Sequence, residues 1–591
     1  MHMRIRQCVV FCLLFVLTAT AQQTSVTPSP SQTSIGQPAA NSSLAVSPRR
    51  AEQKGRSASG LVSSATMDHV VDRIIEREHA LMEMLKTCTP LVETYLQDLK
   101  SDPRIGPIPV QDHYFLGRLD LGESVDRHDY LSKHGSFQSR LLGGFTTLYK
   151  FRYEPLGFSW MIFADRKDFD RKTYNFEYDH SEFLGDVRCL VFAVTPKKGA
   201  DKGRFRGQIW VEDQAYSIVR LNGIYEPGPR HAYFFHMDSW RLNLVPGYWL
   251  PAYVYSEEGD FSYGSKNEIA FKAQTRIWGY NLKKGSKDSE LTEVFVDPSV
   301  KDESAAAQDA SPLQAQRNWL QHAEENVIER VQTAGLLAPK GELDTVLETV
   351  VNNLLISNNI ELQRPACVRL MLTSPLETFS VGNTIILSRG LVDVLPDESS
   401  LAMVLAHELA HIVLGHNLGS KYAFSDRMLF SDESIYSNLG FRHAPEEETA
   451  ADKKAVDLLK NSPYGQKLGT AGLFLRQVGE RGPALSALLT PHLGNGFTGK
   501  NGRVTRMVAL MNSAPAIDPN KLDQIAALPL GGRVKLNPWD DRVELIKTSP
   551  TAILSVRDKM PLEVTPFSPH LTRQGAIADT TASASTATPR N

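Results

Sequence analysis

The stretch LAMVLAHELAHIVLGHN, residues 401–417, constrains the fold more than any other part of the chain. It predicts a helix, because Asp397 can cap its first turn and Glu398 adds negative charge there. Its apolar positions recur at helical spacing: Leu401, Val404, Leu405, Ile412 and Val413. Histidine and glutamate side chains lie among these apolar residues, and charged groups are costly there unless they are paired or bind a metal ion.

The three polar residues of this helix have the spacing of a zinc site. His407 and His411 are four residues apart, so both imidazoles lie on one face and can reach one ion. Glu408 follows the first histidine, where it can accept a proton from water bound to the metal. The alternative is a helix with two exposed or hydrogen-bonded histidines. The apolar neighbours argue against that alternative.

The third ligand is not supplied by this helix. One known extension of the motif requires glycine at position 414 and histidine at position 417. The chain has Leu414 and Asn417, which excludes that class. His416 is one residue short of the required register, and we interpret it as a surface residue or one that supports a ligand.

A second predicted helix, residues 444–460, offers a glutamate instead. Glu448 and Asp452 are four residues apart and face the same way. Glu448 could bind zinc, and Asp452 could accept a hydrogen bond from a ligand histidine. Two histidines and one glutamate leave the fourth position for water, as a catalytic zinc site requires. The alternative is a solvated acidic first turn, which is how we interpret Glu446 and Glu447.

The first 21 residues predict the compartment. Arg4 and Arg6 precede an apolar run from Cys8 to Leu17, and residues 19–21 are small, as in a cleaved signal peptide. We therefore expect a periplasmic or secreted protein. Three cysteines remain after cleavage, too few and too far apart for a disulfide framework: Cys88, Cys189 and Cys367.

Length and composition predict several domains in an α+β chain. The 591 residues are 42% hydrophobic and carry a net charge of −3, so a nucleic-acid partner is not expected. Aromatic and β-branched runs predict antiparallel strands in the first half, and helical periodicity dominates later. The predicted parts are a signal peptide (1–21), a disordered linker (22–60), an antiparallel β domain (61–285), a linker (286–312), a mainly helical domain (313–515), an ordered extension without an assigned function (516–568) and a disordered tail (569–591).

The β domain resembles a known carrier family. IWVEDQAYSIVRLNG, residues 209–223, is similar to the central hairpin of LolA/LolB-type lipoprotein carriers. The resemblance implies a curved, half-open antiparallel barrel with a helical plug. Such a domain could be structural, could dock to a membrane or envelope partner, or could hold an apolar ligand. His231 and His236 are interpreted as strand residues rather than ligands.

The helical domain resembles the HtpX and CaaX-prenyl-protease family of zinc metallopeptidases, family M48, in its soluble periplasmic branch. The resemblance rests on HELAH followed by ETAAD, and on residues 377–395 before the first motif. It implies a zincin-type domain with a small edge-stranded sheet. The edge strand would bind an extended substrate through Thr384, Ile385, Ile386 and Leu387. Glu377 stands where the family usually has asparagine.

A later family motif is present only in part. His492 and Arg506 match its histidine and arginine, but the proline after the histidine is missing. The resemblance implies that His492 is a catalytic residue stabilising the transition state, or a fourth, regulatory zinc ligand. The alternative is a loop histidine. Arg506 would brace the site.

Together these patterns predict an exported zinc metalloendopeptidase with one Zn²⁺ per chain. Its substrates would be polypeptides, with unfolded or misassembled envelope proteins implied by the resemblance. One alternative is a binding or carrier protein with a latent protease-like zinc domain. Another is a structural zinc domain, which usually has four protein ligands. Residues 417–445 are a candidate lid over the cleft.

Overall fold

The computed structural model describes most of both predicted domains. The chain divides into two compact units, residues 1–61 and 62–591, and every described residue belongs to the second. The signal peptide, the first linker and most of the second linker lie outside the described residues. The described ranges are 64–102, 106–120, 126–129, 158, 161–199, 204–225, 236–258, 270–280, 312–416, 441–499, 501–518, 534–536, 543–545, 562–564, 566 and 568–573.

The N-terminal half is one helix and one large antiparallel sheet. Helix α1 spans Ser64–Leu85 and precedes the first strand. The strands are β1 Leu91–Asp102, β2 Gly106–Asp120, β3 Asp126–Asp129, β4 Tyr174–Leu184, β5 Val187–Pro196, β6 Phe205–Glu212, β7 Ile218–Tyr225, β8 His236–Val245, β9 Tyr248–Glu258 and β10 Ala270–Trp278. Their order is β3-β2-β1-β10-β9-β8-β7-β6-β5-β4. The sheet is open, with β3 and β4 at its ends, which confirms the predicted fold class.

The predicted central hairpin is present as strands β6 and β7. The Glu212 carboxylate accepts hydrogen bonds from the backbone N–H groups of Gln214, Ala215 and Ser217, and so closes the turn. His236 is the first residue of β8, as expected for a strand residue, whereas His231 lies outside the described residues.

Helix α1 covers one face of the sheet. Its residues Val70, Ile74 and Leu85 join a buried cluster with strand residues. Within that cluster the Arg241 guanidinium donates two hydrogen bonds of 2.6 Å to Glu78 of α1. Both side chains are 1% exposed. The predicted helical plug is therefore fixed to the sheet by an ion pair as well as by apolar packing.

The C-terminal half is mainly helical and contains a small sheet. Its elements are α2 Pro312–Thr333, α3 Glu342–Ser357, β11 Cys367–Met371, β12 Thr378–Val381, β13 Thr384–Ser388, α4 Arg389–Val394, α5 Glu398–Leu414, α6 Pro445–Lys460, α7 Leu468–Arg481, α8 Ser486–Leu489 and α9 Val508–Ser513, followed by β14 Val534–Leu536 and β15 Val543–Leu545. The small sheet has the order β11-β13-β12. Strand β13 is parallel to β11 and antiparallel to β12.

The two halves share a hydrophobic core. Trp210 and Trp240 of the large sheet belong to the same buried cluster as Leu405 and Leu409 of α5. The chain near its C-terminus joins this cluster through Leu562, Val564 and Leu571. Arg573 pairs with Glu212 and Asp213 at the turn between β6 and β7. Residues 570–573 are therefore packed against the sheet, although the sequence analysis placed them in a disordered tail that begins at residue 569.

Two smaller findings complete the description of the fold. In the part of the chain that the structure describes, no helix is both long and apolar enough to cross a membrane. Among the described residues, Cys88, Cys189 and Cys367 form no disulfide; the first two are buried and the third is partly exposed.

Candidate metal centre

Helix α5 begins as its sequence predicts. The Asp397 side chain accepts a hydrogen bond of 2.8 Å from the Ser400 N–H and caps the first turn. Gly415 ends the helix in the left-handed conformation, with φ of 72°, which glycine adopts at little cost. Every residue from Ser399 to His411 is buried. The histidines and glutamate of this helix therefore lie inside the protein rather than at its surface.

Helix α6 brings the third ligand to this face. Pro445 occupies its first turn, where the missing N–H has no cost, and Glu447 accepts a hydrogen bond from the Ala444 N–H. Ala451 and Ala455 are completely buried on the helix. Because alanine is small, the α6 backbone can approach α5 closely. The chain packs these two helices together and so places Glu448 against the two histidines.

The three predicted ligands converge on one point. The Nε2 atoms of His407 and His411 are 3.3 Å apart. The Glu448 carboxylate oxygens lie 3.3 Å from His407 Nε2 and 3.5 Å from His411 Nε2. Among the described residues this is the one group of three histidine, cysteine or acidic side chains close enough to share an ion. Two imidazoles and one carboxylate fit catalytic zinc, which takes three protein ligands and keeps a fourth position open.

Two outer residues fix the ring orientation of the histidines. Asp452 Oδ1 is 2.9 Å from His407 Nδ1, and its other oxygen accepts a hydrogen bond of 2.8 Å from the Met507 N–H. A proton on Nδ1 leaves Nε2 free to bind a metal ion, as predicted for Asp452. His416 Nδ1 is 2.9 Å from His411 Nδ1. Of the two interpretations of His416, this contact supports the one in which it orients a ligand.

The predicted catalytic base lies in the same buried space. Glu408 is 1% exposed, and its Oε1 accepts a hydrogen bond of 3.2 Å from Arg506 Nη1. Its Oε2 is buried and makes no hydrogen bond within the described residues. The Arg506 Nε atom is 3.6 Å from Glu448. Arg506 therefore contacts both the predicted base and a predicted ligand directly. The sequence analysis expected only that it braces the site.

The surroundings shift the pKa values of the three ligands in different directions. Burial, followed by the neighbouring His407, lowers the pKa of His411 to about 2. Burial would also lower the pKa of His407, but its hydrogen bonds to Asp452 and Glu448 outweigh burial and raise it. Burial opposes ionisation of Glu448, but His407 and Arg506 outweigh that effect and bring its pKa far below the ordinary value. Glu448 therefore stays an anion.

Two residues near the site were not predicted from the sequence. The ring of His443 stacks on that of His411, with centroids 3.8 Å apart and planes 15° apart. Asn495 donates hydrogen bonds to the Glu448 carboxylate and to the His443 carbonyl. Neither residue has a fixed spacing from the two ligand motifs. The only sequence signal is that Asn495 follows His492 by three residues.

His492 lies outside the group of three ligands. Its N–H donates a hydrogen bond of 2.7 Å to Glu377, and its ring lies 5.2 Å from that of Tyr114. The described metal group contains His407, His411 and Glu448 only, and so includes no fourth protein ligand. A role for His492 in the transition state stays a prediction.

The prediction for the substrate-binding strand is wrong. Strand β13, which contains Thr384, Ile385, Ile386 and Leu387, is the central strand of the small sheet, not its edge. Its backbone already pairs with β11 on one side and with β12 on the other. Both of its neighbours, β11 and β12, are edge strands. Of the candidate lid, residues 417–440 lie outside the described part of the chain.

A comparison with protein-family models agrees with the resemblance of the helical domain. Residues 342–430 match the family model of Peptidase family M48, a range that includes the first ligand motif and ends before Glu448. No curated protein sequence matches the chain. The chain thus contains a region related to metallopeptidases, and this supports metallopeptidase activity.

Solved structures are similar to the N-terminal part. A LolA superfamily protein from Nitrosomonas europaea is 8% identical, with 37% of this chain and 95% of that chain covered and a TM-score of 0.18. A DUF1329 family protein from Desulfovibrio piger is 11% identical, with coverages of 38% and 97% and a TM-score of 0.18. The complex of MucA and MucB from Pseudomonas aeruginosa has 8% identity, coverages of 36% and 94%, and a TM-score of 0.12. Similarity this low carries no argument about function.

Proposed function

We propose that the protein is a zinc-dependent metalloendopeptidase. One observation carries the proposal: His407, His411 and Glu448 converge within metal-ligand distance, beside a buried Glu408. Three protein ligands and an adjacent carboxylate are what zinc-dependent peptide hydrolysis requires. A structural zinc site is less well supported, because the described group has three protein ligands and no cysteine.

Each residue of the site has a distinct task in this proposal. When bound, a zinc ion supplies Lewis-acid chemistry, lowering the pKa of a water molecule and polarising the scissile carbonyl. Glu408 accepts the proton of the attacking water and passes it to the leaving amine. Its unbonded Oε2 is the oxygen available for that proton. Arg506 holds Oε1 and keeps the carboxylate in one orientation.

The substrates in this proposal are polypeptides bound along strand β12, Thr378–Val381. The carbonyl of Glu377 accepts the Ser388 N–H, so the backbone of alternate residues faces β13. The backbone groups of Thr378 and Ser380 therefore face away from the sheet. Both residues are buried and Gly494 packs against the Thr378 carbonyl, so an extended peptide that pairs with them by strand addition would have to displace the loop at Gly494. This proposal assigns substrate binding to the edge strand β12 instead of the central strand β13.

The biological setting is a further part of the proposal. The first 21 residues resemble a cleaved signal peptide, which supports export to the periplasm or beyond. The M48 match supports a peptidase, and we place its work in quality control of unfolded or misassembled envelope proteins. The large sheet would provide contact with a membrane or envelope complex.

The test uses the purified chain without its first 21 residues, loaded with zinc and compared with Glu408→Gln. Glutamine keeps the shape of the side chain but cannot accept the proton. Zinc content and casein cleavage are measured on both proteins. We expect about one zinc per chain in both and at least a ~100-fold loss of cleavage in the variant. The matched control is Glu398→Gln, an exposed glutamate of the same helix, which should cleave normally.

The other outcomes separate the alternatives. Zinc in both proteins without cleavage by either would support a latent site and a binding role for the large sheet. Absence of zinc from the unsubstituted protein would overturn the metal site itself.

A further inference from the structure

Strand β2 of the large sheet holds the short helix α8 of the helical half. Asp112 is 5% exposed, and its two oxygens accept hydrogen bonds of 2.7 Å from the backbone N–H groups of Ala487 and Leu488. The carbonyl of Leu488 in turn accepts the Leu376 N–H at 2.8 Å. A buried carboxylate is costly unless such donors satisfy it. These hydrogen bonds therefore hold α8, and the loop that follows it, in one position on the sheet.

A second carboxylate makes a similar contact one strand further into the sheet. Glu93 of β1 is 1% exposed and accepts hydrogen bonds from the N–H and the hydroxyl of Ser374, at 2.6 and 2.8 Å. It is also paired with Arg276 of β10 and accepts the hydroxyl of Tyr114 at 2.8 Å. Arg276 donates to the carbonyl of Leu372. The sheet thus also holds the segment that leads into β12.

Glu377 connects these two contacts to His492. It lies directly before β12, is 1% exposed, and accepts the N–H groups of His492 and Leu493 at 2.7 and 3.3 Å. Thr373 donates to its other oxygen at 2.8 Å. The ring of Tyr114 lies against that of His492. The glutamate that replaces the usual family asparagine is therefore the link between strand β12 and the His492 loop.

We propose that the large sheet positions the peptidase site, with Asp112 and Tyr114 as positioning residues for the loop that carries His492. The inference rests on the proposed peptidase function. In it the sheet is a structural part of the active site, not a separate carrier. A shift of the sheet would change peptide hydrolysis without changing the zinc ligands, because the contacts of Asp112, Glu93 and Tyr114 given above involve none of the three ligands.

The main test compares Asp112→Asn with a control on the adjacent strand. Asparagine can accept one of the two amide hydrogen bonds but not both. The control is Asp98→Asn, since Asp98 pairs with His113 within the sheet and is partly exposed. For each variant we measure zinc content, the thermal midpoint, and kcat and KM for one peptide. We expect Asp112→Asn to keep one zinc and lose at least about ten-fold in kcat, which corresponds to ~1.4 kcal/mol. The control Asp98→Asn should keep one zinc and the kcat of the unsubstituted protein.

A second pair of variants tests the ring contact with His492. Tyr114→Phe keeps the ring and loses the hydroxyl, whereas Tyr114→Leu loses the ring. We expect the leucine variant to lower kcat and the phenylalanine variant to restore most of it. Equal kcat in Asp112→Asn and Asp98→Asn, or a loss of zinc together with activity, would overturn the proposal.

Hydrogen exchange separates this inference from the proposed function. In Asp112→Asn we expect faster exchange to extend from Ala487 and Leu488 to the amides of His492 and β12, while α5 is unchanged. If the unsubstituted protein cleaves nothing, the proposed function fails, but this exchange pattern still tests the positioning. Faster exchange confined to Ala487 and Leu488 would show that Asp112 stabilises only its direct partners.

Discussion

The molecule buries ionisable side chains in two regions that differ in how those charges are compensated. Beneath the large sheet, the Arg241 cation meets the Glu78 anion in two hydrogen bonds. At α5, the nitrogen atoms of His407 and His411 face each other at 3.3 Å, with the Glu448 oxygens close to both. The first group is complementary within the protein. In the second, atoms that bind cations point at one another.

The difference shows how a binding site can be told from a structural ion pair. Partners of opposite charge satisfy each other, so nothing further is needed between Arg241 and Glu78. Convergent lone pairs repel unless protons or a metal ion lie between them. Binding of the proposed metal ion would then contribute to stability at α5 and not beneath the sheet.

The largest effect is expected beneath the sheet. Arg241→Met leaves the Glu78 carboxylate buried without its partner, which costs about 3–5 kcal/mol. Urea unfolding monitored by circular dichroism measures the loss. The double variant Arg241→Met with Glu78→Leu should recover most of it, because no uncompensated charge remains. As a control, Arg73→Met breaks an exposed pair and should cost less than ~1 kcal/mol. A single variant as stable as the double would contradict the comparison.

The second effect belongs to the metal site. Free zinc at about one hundred times its dissociation constant should stabilise the folded protein by about 2.7 kcal/mol. Removing zinc with a chelator should reverse the gain. His411→Ala should show no gain, because it lacks one of the three ligands. Thermal unfolding with and without zinc gives both values. Equal stability of the unsubstituted protein in the two conditions would mean that the convergent side chains bind no metal.

The sequence predicted the site better than its surroundings, for a physical reason. His407 with His411, and Glu448 with Asp452, are pairs within one helix, where four residues bring side chains to one face. Their relative geometry is local and can be read from spacing. The packing of α6 on α5 is not local, but the family pattern implied it. The large antiparallel sheet was likewise predicted from local features, the aromatic and β-branched runs of its strands.

The errors concern contacts between distant parts of the chain. The sequence shows β12 and β13 as neighbours joined by a short turn at Gly382, but not the parallel pairing of β13 with β11. The central strand was therefore taken for the edge. The contacts of Asp112 with Ala487 and of His443 with His411 are non-local in the same way. Leu571 lies in a polar, low-complexity stretch, so its burial was not expected either.

The third effect concerns the residues that orient the ligands. His416→Ala and Asp452→Asn should each weaken zinc binding about 10- to 100-fold, which is roughly 1.4–2.7 kcal/mol. The reason is that His411 and His407 lose the partners of their Nδ1 atoms. Competition with a chromogenic chelator measures the affinity. Asp457→Asn, an exposed residue of α6, serves as the control and should bind zinc normally. Unchanged zinc affinity in both variants would mean that only the three ligands, and neither His416 nor Asp452, contribute to zinc binding.

The smallest effect concerns the charge of Asp112 at the contact between the large sheet and α8. Burial raises the pKa of Asp112, and the amides of Ala487 and Leu488 oppose this only in part. The folded protein therefore holds a proton that the unfolded chain releases at lower pH. The stability that this proton contributes is complete below the ordinary pKa of about 3.9 and is lost as pH rises through the raised value.

The measurement is the difference in unfolding free energy between the metal-free unsubstituted protein and Asp112→Asn at several pH values. We expect the difference to fall as pH rises across that window, by at most about 1.4 kcal/mol per pH unit, and then to level off. Chelator in every sample keeps zinc release from contributing. A rise instead of a fall would mean that the two amides outweigh burial. Asp112 would then stabilise the boundary as an anion, as Glu78 does beneath the sheet, and the positioning contact would strengthen toward neutral pH.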